Sequence, residues 1–259
     1  MAADPAGTLL LVGCGKMGTA LLRGWLNGAA AARFVVVEPA GAPGGLAEAA
    51  GTSWHRAPDA LPPDLAPEAV VFAVKPQILD DALAAYHRWV RPETVFVSIA
   101  AGKTMAGIAR RLGPAALVRA MPNTPAAIGR GITVACASPQ VTARQRQFCD
   151  RLFAAIGESA WVADEALMDA VTAVSGSGPA YVFLLIEALA EAGEAAGLPA
   201  DLALLLARLT VAGAGELARL SPESPAELRT AVTSPGGTTE AALSVLRGAD
   251  GLAPLLARA

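Results

Sequence analysis

Short apolar runs that alternate with helical stretches place the strongest constraint on how this chain folds. Each run has the length of a buried strand and stops at glycine, at proline-containing segments or at small residues. Strands that alternate with helices at this spacing predict βαβ units and a parallel sheet. The clearest runs are Thr8–Val12, Phe34–Val37, Ala69–Val74 and Thr94–Ile99, and weaker runs at Ala116–Ala120 and Ile132–Ala135 predict further strands.

The character of the chain changes after about Val162. Strand signals end there, and long helical patterns predict helices at Pro179–Ala196 and Asp201–Leu220. These helices are apolar on more than one face, so they cannot face water all round. We therefore expect an α/β domain at residues 1–162, an all-α domain at residues 163–259, and burial of the helices between two subunits of an obligate homodimer.

A glycine-rich segment joins the first predicted strand to the first predicted helix. It reads Gly13-x-Gly15-x-x-Gly18. The first glycine permits a tight turn, the second lets a pyrophosphate approach the backbone, and the third lets helix and strand pack closely. This context favours a Rossmann-type dinucleotide-binding domain over a plain strand–helix turn, and we expect Lys16 and Met17 to lie beside the cofactor as well.

Glu38 stands at the end of the second predicted strand, about twenty residues after Gly18, where an acidic residue binds the adenosine ribose hydroxyls. Its carboxylate would repel a 2′-phosphate, and no arginine lies in Pro39–Gly45 to bind one. The site therefore favours NADH over NADPH. Lys16 is a counterweight, because its ammonium group can lean toward a phosphate. The alternative for Glu38 is a solvated residue at a strand end.

Small residues follow the third and fourth predicted strands. Ligands bind in the crevice outside the carboxyl ends of strands in an open α/β sheet, where small residues leave room for ribose and nicotinamide. Lys75 is one of three lysines in the chain, which favours a place beside the cofactor over an ordinary strand-end lysine. The residues to which we assign cofactor binding here are Ala73, Val74, Lys75, Pro76 and Ala100.

Composition and charge exclude several classes of function. The net charge is −3 and the basic residues are scattered, so we expect no nucleic-acid partner. The three cysteines and two histidines show no C-x-x-C and no zinc-ligand spacing, so we expect neither a disulfide framework nor a metal. The apolar run Ala180–Leu189 is too short to span a bilayer, and the first residues do not resemble a signal peptide, so we expect a cytoplasmic protein with no membrane partner.

Six segments of the chain together match one known family. They occur in family order over almost the whole chain, and the last two together are highly specific. The segments are Gly13-Cys-Gly-Lys-Met-Gly18, Ala73-Val-Lys-Pro76, Ser98-Ile-Ala-Ala-Gly102, Arg119-Ala-Met-Pro-Asn-Thr-Pro125, Ala173-Val-Ser-Gly-Ser-Gly-Pro-Ala-Tyr181 and Thr233-Ser-Pro-Gly-Gly-Thr-Thr239. With these segments the chain resembles the pyrroline-5-carboxylate reductase family.

The resemblance implies an N-terminal Rossmann domain, a C-terminal helical dimerisation domain, an active site shared between subunits, and often a decamer of five dimers. It also implies hydride transfer from NADPH or NADH to the C=N carbon of 1-pyrroline-5-carboxylate, which gives L-proline in the last step of proline biosynthesis.

The segment Thr233–Glu240 has a physical interpretation as a carboxylate site. A helix start offers unpaired N–H groups and a partial positive charge, and the two glycines remove side chains that would block access. A capped helix after a tight turn is the alternative, but it leaves two glycines unexplained, each of which costs about 1 kcal/mol of helix propensity. The residues expected to bind the substrate carboxylate are Ser234, Gly237, Thr238 and Thr239.

Three further residues take their roles from the resemblance or stay open between two roles. Thr239 matches the family's threonine whose hydroxyl bonds the substrate ring nitrogen, which makes it the predicted catalytic residue. Asn123 either contacts the nicotinamide ribose or holds a turn. Ser177 either caps the long helix or admits the substrate ring.

The chain departs from the family pattern at three places. Lys16 stands where asparagine is common, Arg229-Thr230 replaces lysine–aspartate, and the chain ends soon after Pro254, where members usually have a longer last helix. Among rivals, the β-hydroxyacid dehydrogenases need a catalytic lysine on the long helix, and no lysine follows Lys103. A reductase of another cyclic imine and a dinucleotide-binding regulator without turnover stay open.

Overall fold

The computed structural model describes residues 7–259, and the chain divides into two compact units, one up to Tyr181 and one from Val182. The first unit contains one sheet with covering helices, and the second is helical. The predicted fold class, an α/β Rossmann-type domain followed by a helical region, is confirmed. The predicted domain boundary between residues 162 and 163 stays a prediction.

The sheet has eight strands in the order β3-β2-β1-β4-β5-β6-β7-β8. All neighbouring pairs are parallel except β6 with β7. The strand order reverses between β1 and β4, which places a crevice at the carboxyl ends of these strands. The strands are β1 Thr8–Val12, β2 Arg33–Val37, β3 Thr52–His55, β4 Ala69–Phe72, β5 Val95–Ser98, β6 Ala116–Met121, β7 Gly131–Ala137 and β8 Gly157–Val162.

Side chains alternate along each strand, so the apolar strands carry apolar side chains on both faces of the sheet. Helices cover both faces and bury these side chains. Leu9 and Leu11 of β1 pack into a cluster with Trp25 of helix α1 and with residues of α4. Leu10 and Val12 point the other way and pack with residues of α2 and α3. The helices of this unit are α1 Lys16–Asn27, α2 Pro76–Leu83, α3 Met105–Leu112, α4 Ala143–Ala154 and the short α5 Met168–Val171.

The remaining helices follow the predicted bounds closely and expose much apolar surface. Helix α6 is Gly178–Ala195 and α7 is Ala200–Leu220, each within one residue of the prediction. Phe183 is 57% exposed and Leu209 64% exposed. The shorter helices are α8 Pro225–Ala231, α9 Thr238–Leu246 and α10 Leu252–Arg258.

The helical stretch Glu165–Ala195 is long and apolar enough to cross a membrane, judged by length and composition alone. A helix buried between subunits passes the same test, because it too is apolar all round. The stretch therefore does not by itself distinguish a bilayer from a protein partner.

Candidate active site

The three glycines of the turn after β1 differ in what surrounds them. Gly13 has φ +89°, and a Cβ added there would lie 2.8 Å from Cγ1 of Val74. A Cβ added at Gly18 would contact the carbonyl oxygen of Gly13. Gly15 is the N-cap of α1, and no described atom lies within 4 Å of an added Cβ. The backbone is therefore tightly packed at Gly13 and Gly18 and has free space beside it at Gly15. That space fits a dinucleotide pyrophosphate at the helix start.

A cavity of about 800 Å³ lies at the carboxyl ends of β1, β2 and β4. Its volume falls within the range of about 300–1,000 Å³ that is usual for small-molecule and cofactor sites. Six of the predicted cofactor residues line it, namely Gly13, Gly15, Glu38, Ala73, Val74 and Lys75. The sheet thus brings together residues from three separate segments of the sequence, as ligand binding at a switch point requires.

The carboxylate of Glu38 is held against the glycine-rich turn. Its Oε2 accepts a hydrogen bond from the backbone N–H of Cys14 at 2.7 Å, and its Oε1 accepts one from the N–H of Ala40 at 3.1 Å. Glu38 is half-buried. Because both carboxylate oxygens are bonded to backbone donors, the side chain faces the cavity with a fixed orientation. Burial, reinforced by the nearby Glu38 carboxylate, raises the pKa of the Cys14 thiol.

Arg56 also lines this cavity and was not predicted. It directly follows β3, and the register Val37↔His55 places it opposite Glu38. Arg56 lies outside Pro39–Gly45, the segment in which a phosphate-binding arginine was expected, because it follows the neighbouring strand. The position one residue past a strand adjacent to β2 is the signal that could have found it.

Four other predicted cofactor residues do not line the cavity, namely Lys16, Met17, Pro76 and Ala100. Lys16 and Met17 form the first turn of α1, where Lys16 is exposed and Met17 packs partly against the core. Pro76 is the first residue of α2. Ala100 is buried in the apolar cluster beneath α2 and α3. Lys75 is exposed, whereas the third lysine, Lys103, bonds Asp80 at 2.9 Å and lowers the pKa of that carboxyl.

Asn123 connects the loop after β6 with the turn before α6. Its Oδ1 accepts from the N–H of Ile132 at 3.0 Å, and its Nδ2 donates to Oγ of Ser175 at 3.3 Å. Ser175 belongs to a π-helical turn, Thr172–Gly176, which the N–H of Ser177 closes on the carbonyl of Thr172 at 2.8 Å. These bonds support the turn-holding role of Asn123, and π-turns occur often at functional sites. A contact with the nicotinamide ribose stays a prediction.

Arg119 is buried at 3% exposure and bonds two carboxylates. Its Nη1 lies 3.4 Å from Glu165 and its Nη2 3.0 Å from Asp169. Oε1 of Glu165 also accepts from the N–H of Met105 at 2.7 Å. The segment that carries α5 is thereby attached to β6 and to the start of α3. Arg119 lies in one of the six family segments, but no role was predicted for it.

The predicted substrate segment forms a turn before α9 in the second unit. Helix α9 begins at Thr238 with Gly237 as its N-cap. Gly236 has φ +70°, and a Cβ added at Gly237 would lie 3.0 Å from the carbonyl oxygen of Ser234. The backbone conformation therefore favours both glycines, so the argument that a capped turn leaves them unexplained is wrong.

Backbone donors are free at the start of α9. The N–H of Gly237 is bonded to the carbonyl of Ser234 at 3.0 Å, and the N–H of Gly236 to Oε2 of Glu240 at 2.7 Å. Within residues 7–259, the N–H groups of Thr238 and Thr239 have no partner, as expected for the first turn of a helix. The role of Glu240 was not predicted, although an acidic residue three positions after an N-cap is a known capping signal.

Ser177 and the Arg229-Thr230 pair complete the predicted positions. The Ser177 hydroxyl makes no hydrogen bond in the described chain, while its carbonyl accepts from the N–H of Ala180 at 2.9 Å. The hydroxyl of Thr230 donates to the carbonyl of Ala226 at 2.9 Å, so it is bonded within its own helix. Neither side chain is committed to a partner outside its own segment.

The sheet, the open glycine turn and the cavity define a dinucleotide-binding oxidoreductase of the Rossmann class. A family model described as NADP oxidoreductase, coenzyme F420-dependent, matches residues 8–102, and one described as pyrroline-5-carboxylate reductase dimerisation matches residues 165–259. A pyrroline-5-carboxylate reductase of Pseudomonas aeruginosa is 46% identical over 193 residues, which cover 74% of this chain and 70% of that protein. The chain belongs to the pyrroline-5-carboxylate reductase family.

Solved structures of the same family resemble the whole chain. That of a pyrroline-5-carboxylate reductase from Coxiella burnetii is 32% identical, covers 99% of this chain and 94% of its own, and superposes with a TM-score of 0.87. That of the Plasmodium falciparum pyrroline carboxylate reductase with NADP bound is 27% identical, covers 95% and 91%, and has a TM-score of 0.79.

Proposed function

We infer that this chain reduces 1-pyrroline-5-carboxylate to L-proline with a nicotinamide cofactor, as its family membership indicates. The observation that carries the inference within the chain is the start of α9, where the N–H groups of Thr238 and Thr239 are free. Two adjacent backbone donors at a helix N-terminus suit a carboxylate, and the family's substrate carries one.

The cofactor is held by the first unit. Gly15 leaves the backbone open to the pyrophosphate, and the Glu38 carboxylate accepts hydrogen bonds from the adenosine ribose hydroxyls. When bound, the reduced nicotinamide supplies the hydride. Because Glu38 is fixed by two backbone donors, its charge stays at the ribose, and we propose that NADH is the better cofactor.

The substrate is held by the turn before α9. The N–H groups of Thr238 and Thr239 bind the carboxylate, while the Thr239 hydroxyl bonds the ring nitrogen. A protonated imine is already electrophilic, so the reaction needs neither a covalent nucleophile nor a strong acid from the protein. The contribution of these residues is to position the C=N carbon.

The experiment that tests this function follows oxidation of the reduced nicotinamide by its near-ultraviolet absorbance. The substrate is 1-pyrroline-5-carboxylate, with NADH and NADPH measured in parallel, and a six-membered cyclic imine carboxylate serves as the competing substrate. We expect oxidation with the five-membered imine and a higher kcat/KM with NADH. A higher kcat/KM for the six-membered ring would show that the chain reduces another cyclic imine. No oxidation of NADH or NADPH with either imine would contradict the proposed activity.

Thr239→Ala tests the substrate contact. Loss of a hydrogen bond to a charged group costs about 1.5–3 kcal/mol, so kcat/KM should fall about tenfold to a hundredfold. Equilibrium binding of NAD⁺ should stay unchanged, because Thr239 does not lie in the cofactor cavity. Thr239→Ser keeps the hydroxyl and should retain most activity. Equal activity of the alanine variant would remove Thr239 from the reaction.

We also propose that the chain works in the cytoplasm as a homodimer, with a decamer of five dimers as the larger assembly. The apolar side chains exposed on α6 and α7 support the dimer, because a single subunit leaves them in water. Sedimentation velocity distinguishes the three states, and a monomer at micromolar concentration would contradict the proposal.

A further inference from the structure

We propose that Arg56 is a specificity-determining residue that binds the 2′-phosphate of NADPH and so lets the site accept this cofactor in spite of Glu38. The inference rests on the proposed function in that the cavity beside the glycine-rich turn holds the nicotinamide cofactor. It deepens that function, because it assigns a residue to the choice between two cofactors.

The register of the sheet fixes where Arg56 emerges. Strand β3 pairs in parallel with β2, with Val37 opposite His55, and the N–H of Glu38 donates to the carbonyl of His55 at 2.9 Å. Arg56 is the first residue after β3, so its backbone stands beside Glu38 at the carboxyl edge of the sheet. Both residues line the same cavity of about 800 Å³.

The Arg56 guanidinium is free to bind an anion. Within residues 7–259 it has no hydrogen bond and no ion pair, and it is exposed. The carboxylate of Glu38, which lines the same cavity, accepts from Cys14 and Ala40 instead. An added Cβ at Gly41, which has φ +84°, would lie 3.9 Å from Nη2 of Arg56, so the guanidinium lies beside the turn that follows β2.

The chemistry of this arrangement suits a phosphate on the ribose. Glu38 accepts hydrogen bonds from ribose hydroxyls and repels a phosphate there, while the planar fork of an arginine binds phosphate through two parallel N–H groups. An acidic and a basic residue on neighbouring strand ends therefore act on the same ribose with opposite preferences. Arg56 sets how well NADPH is accepted, and Glu38 sets how well NADH is.

The test compares Arg56→Ala with the unsubstituted protein by calorimetric titration of NADP⁺ and NAD⁺, which needs no turnover. Loss of charge-assisted bonds to a phosphate should weaken NADP⁺ binding by about tenfold or more and leave NAD⁺ binding within about twofold. Arg56→Lys keeps the charge without the fork and should fall between. In kinetics, kcat/KM should drop for NADPH and stay for NADH.

Arg33→Ala is the matched control. Arg33 is an exposed arginine at the opposite end of the neighbouring strand β2, so its removal changes the net charge by the same amount without touching the cavity. It should leave the affinities for both cofactors unchanged. Raising the ionic strength should weaken NADP⁺ binding to the unsubstituted protein more than to Arg56→Ala, because charged contacts are screened by salt.

Several results would overturn the proposal. An equal loss of NADP⁺ and NAD⁺ affinity in Arg56→Ala would mean that the side chain contacts the part common to both cofactors. Unchanged NADP⁺ affinity would mean that it contacts neither. Failure of the unsubstituted protein to bind either cofactor would remove the cavity as a cofactor site, whereas binding without reduction of the imine would overturn the proposed reaction and leave Arg56 standing.

Discussion

A methyl group added at either of two glycines in the turn after β1 would have a different effect at each. Gly15 faces open space and Gly18 faces the carbonyl of Gly13, although the two belong to one short motif. A side chain at Gly15 would therefore obstruct a bound ligand, whereas a side chain at Gly18 would clash with the protein backbone. Binding and folding can thus be perturbed independently at positions three residues apart.

Gly15→Ala should weaken NAD⁺ binding by about tenfold, the equivalent of one charge-assisted hydrogen bond, with an unchanged melting temperature. Gly18→Ala should destabilise the fold by about 1–3 kcal/mol, as overpacking in a closed site usually does. Calorimetric titration and thermal denaturation of both variants check this. Equal melting temperatures for the two variants would contradict the packing role of Gly18.

Site residues whose position follows from the neighbouring sequence were predicted. Residues whose position depends on how strands pair or turns fold were not. The glycine-rich turn and Glu38 follow directly from the first two strands, and the cavity joins them as expected. Arg56 depends on the pairing of β3 with β2, which a linear search for arginine after Glu38 cannot see. Glu240 lies inside a predicted segment, but its bond to the N–H of Gly236 depends on the observed turn.

Among the secondary structure elements, the strands that were missed are those at the two edges of the sheet. Strand β3 has half-buried side chains throughout, and β8 has no buried residue, so neither shows the apolar run of a central strand. The central strands β1, β2, β4, β5 and β6 are almost entirely buried and were all predicted. Hydrophobic runs identify strands covered on both faces, and edge strands lack that signal.

A capping box at the start of α4 gives a test at the scale of one helix. Thr142 accepts from the N–H of Gln145, whose side chain accepts from the N–H of Thr142 at 2.9 Å. Thr142→Ala should lower the free energy of unfolding by about 1 kcal/mol, while Thr142→Ser should be near neutral. Urea denaturation measures both. A neutral alanine variant would show that the Gln145 side chain suffices.

Gln145 makes a second bond besides the cap. Its Nε2 also donates to the carbonyl of Pro92 at 3.0 Å, and the side chain is buried at 5% exposure. The capping box therefore connects α4 to the loop before β5. That long-range bond depends on how the helix packs, which the pattern Thr-x-x-Gln does not contain.

For the molecule as a whole, the three cysteines are buried and their thiols are held in the protonated form. Burial raises the pKa of Cys14, of Cys136 and, to about 12, of Cys149. Since the thiolate is the reactive species, a disulfide reagent at about pH 8 should label native protein slowly and all three thiols after unfolding. Rapid labelling of native protein would contradict the burial.

The same raised pKa values predict how stability changes with pH. The folded protein holds these protons more tightly than the unfolded chain, in which the thiols have a pKa of about 8.5. The stabilisation that comes from these protonated thiols is fully present below about pH 8.5. It is lost as the pH rises toward about 12, the pKa of Cys149. Urea midpoints should fall over this interval, and a variant with Cys149→Ala should show a smaller fall. A fall of equal size in the variant would assign the effect to other groups.

The distribution of lysines has a practical consequence for handling the protein. Of the three lysines, Lys16 begins α1 beside Gly15, Lys75 lines the cavity, and Lys103 is engaged with Asp80. Fluorophores, biotin tags and resins that couple to side-chain amines will therefore react mainly along one rim of the molecule. Amine coupling would obstruct this rim and with it the cavity that Lys75 lines.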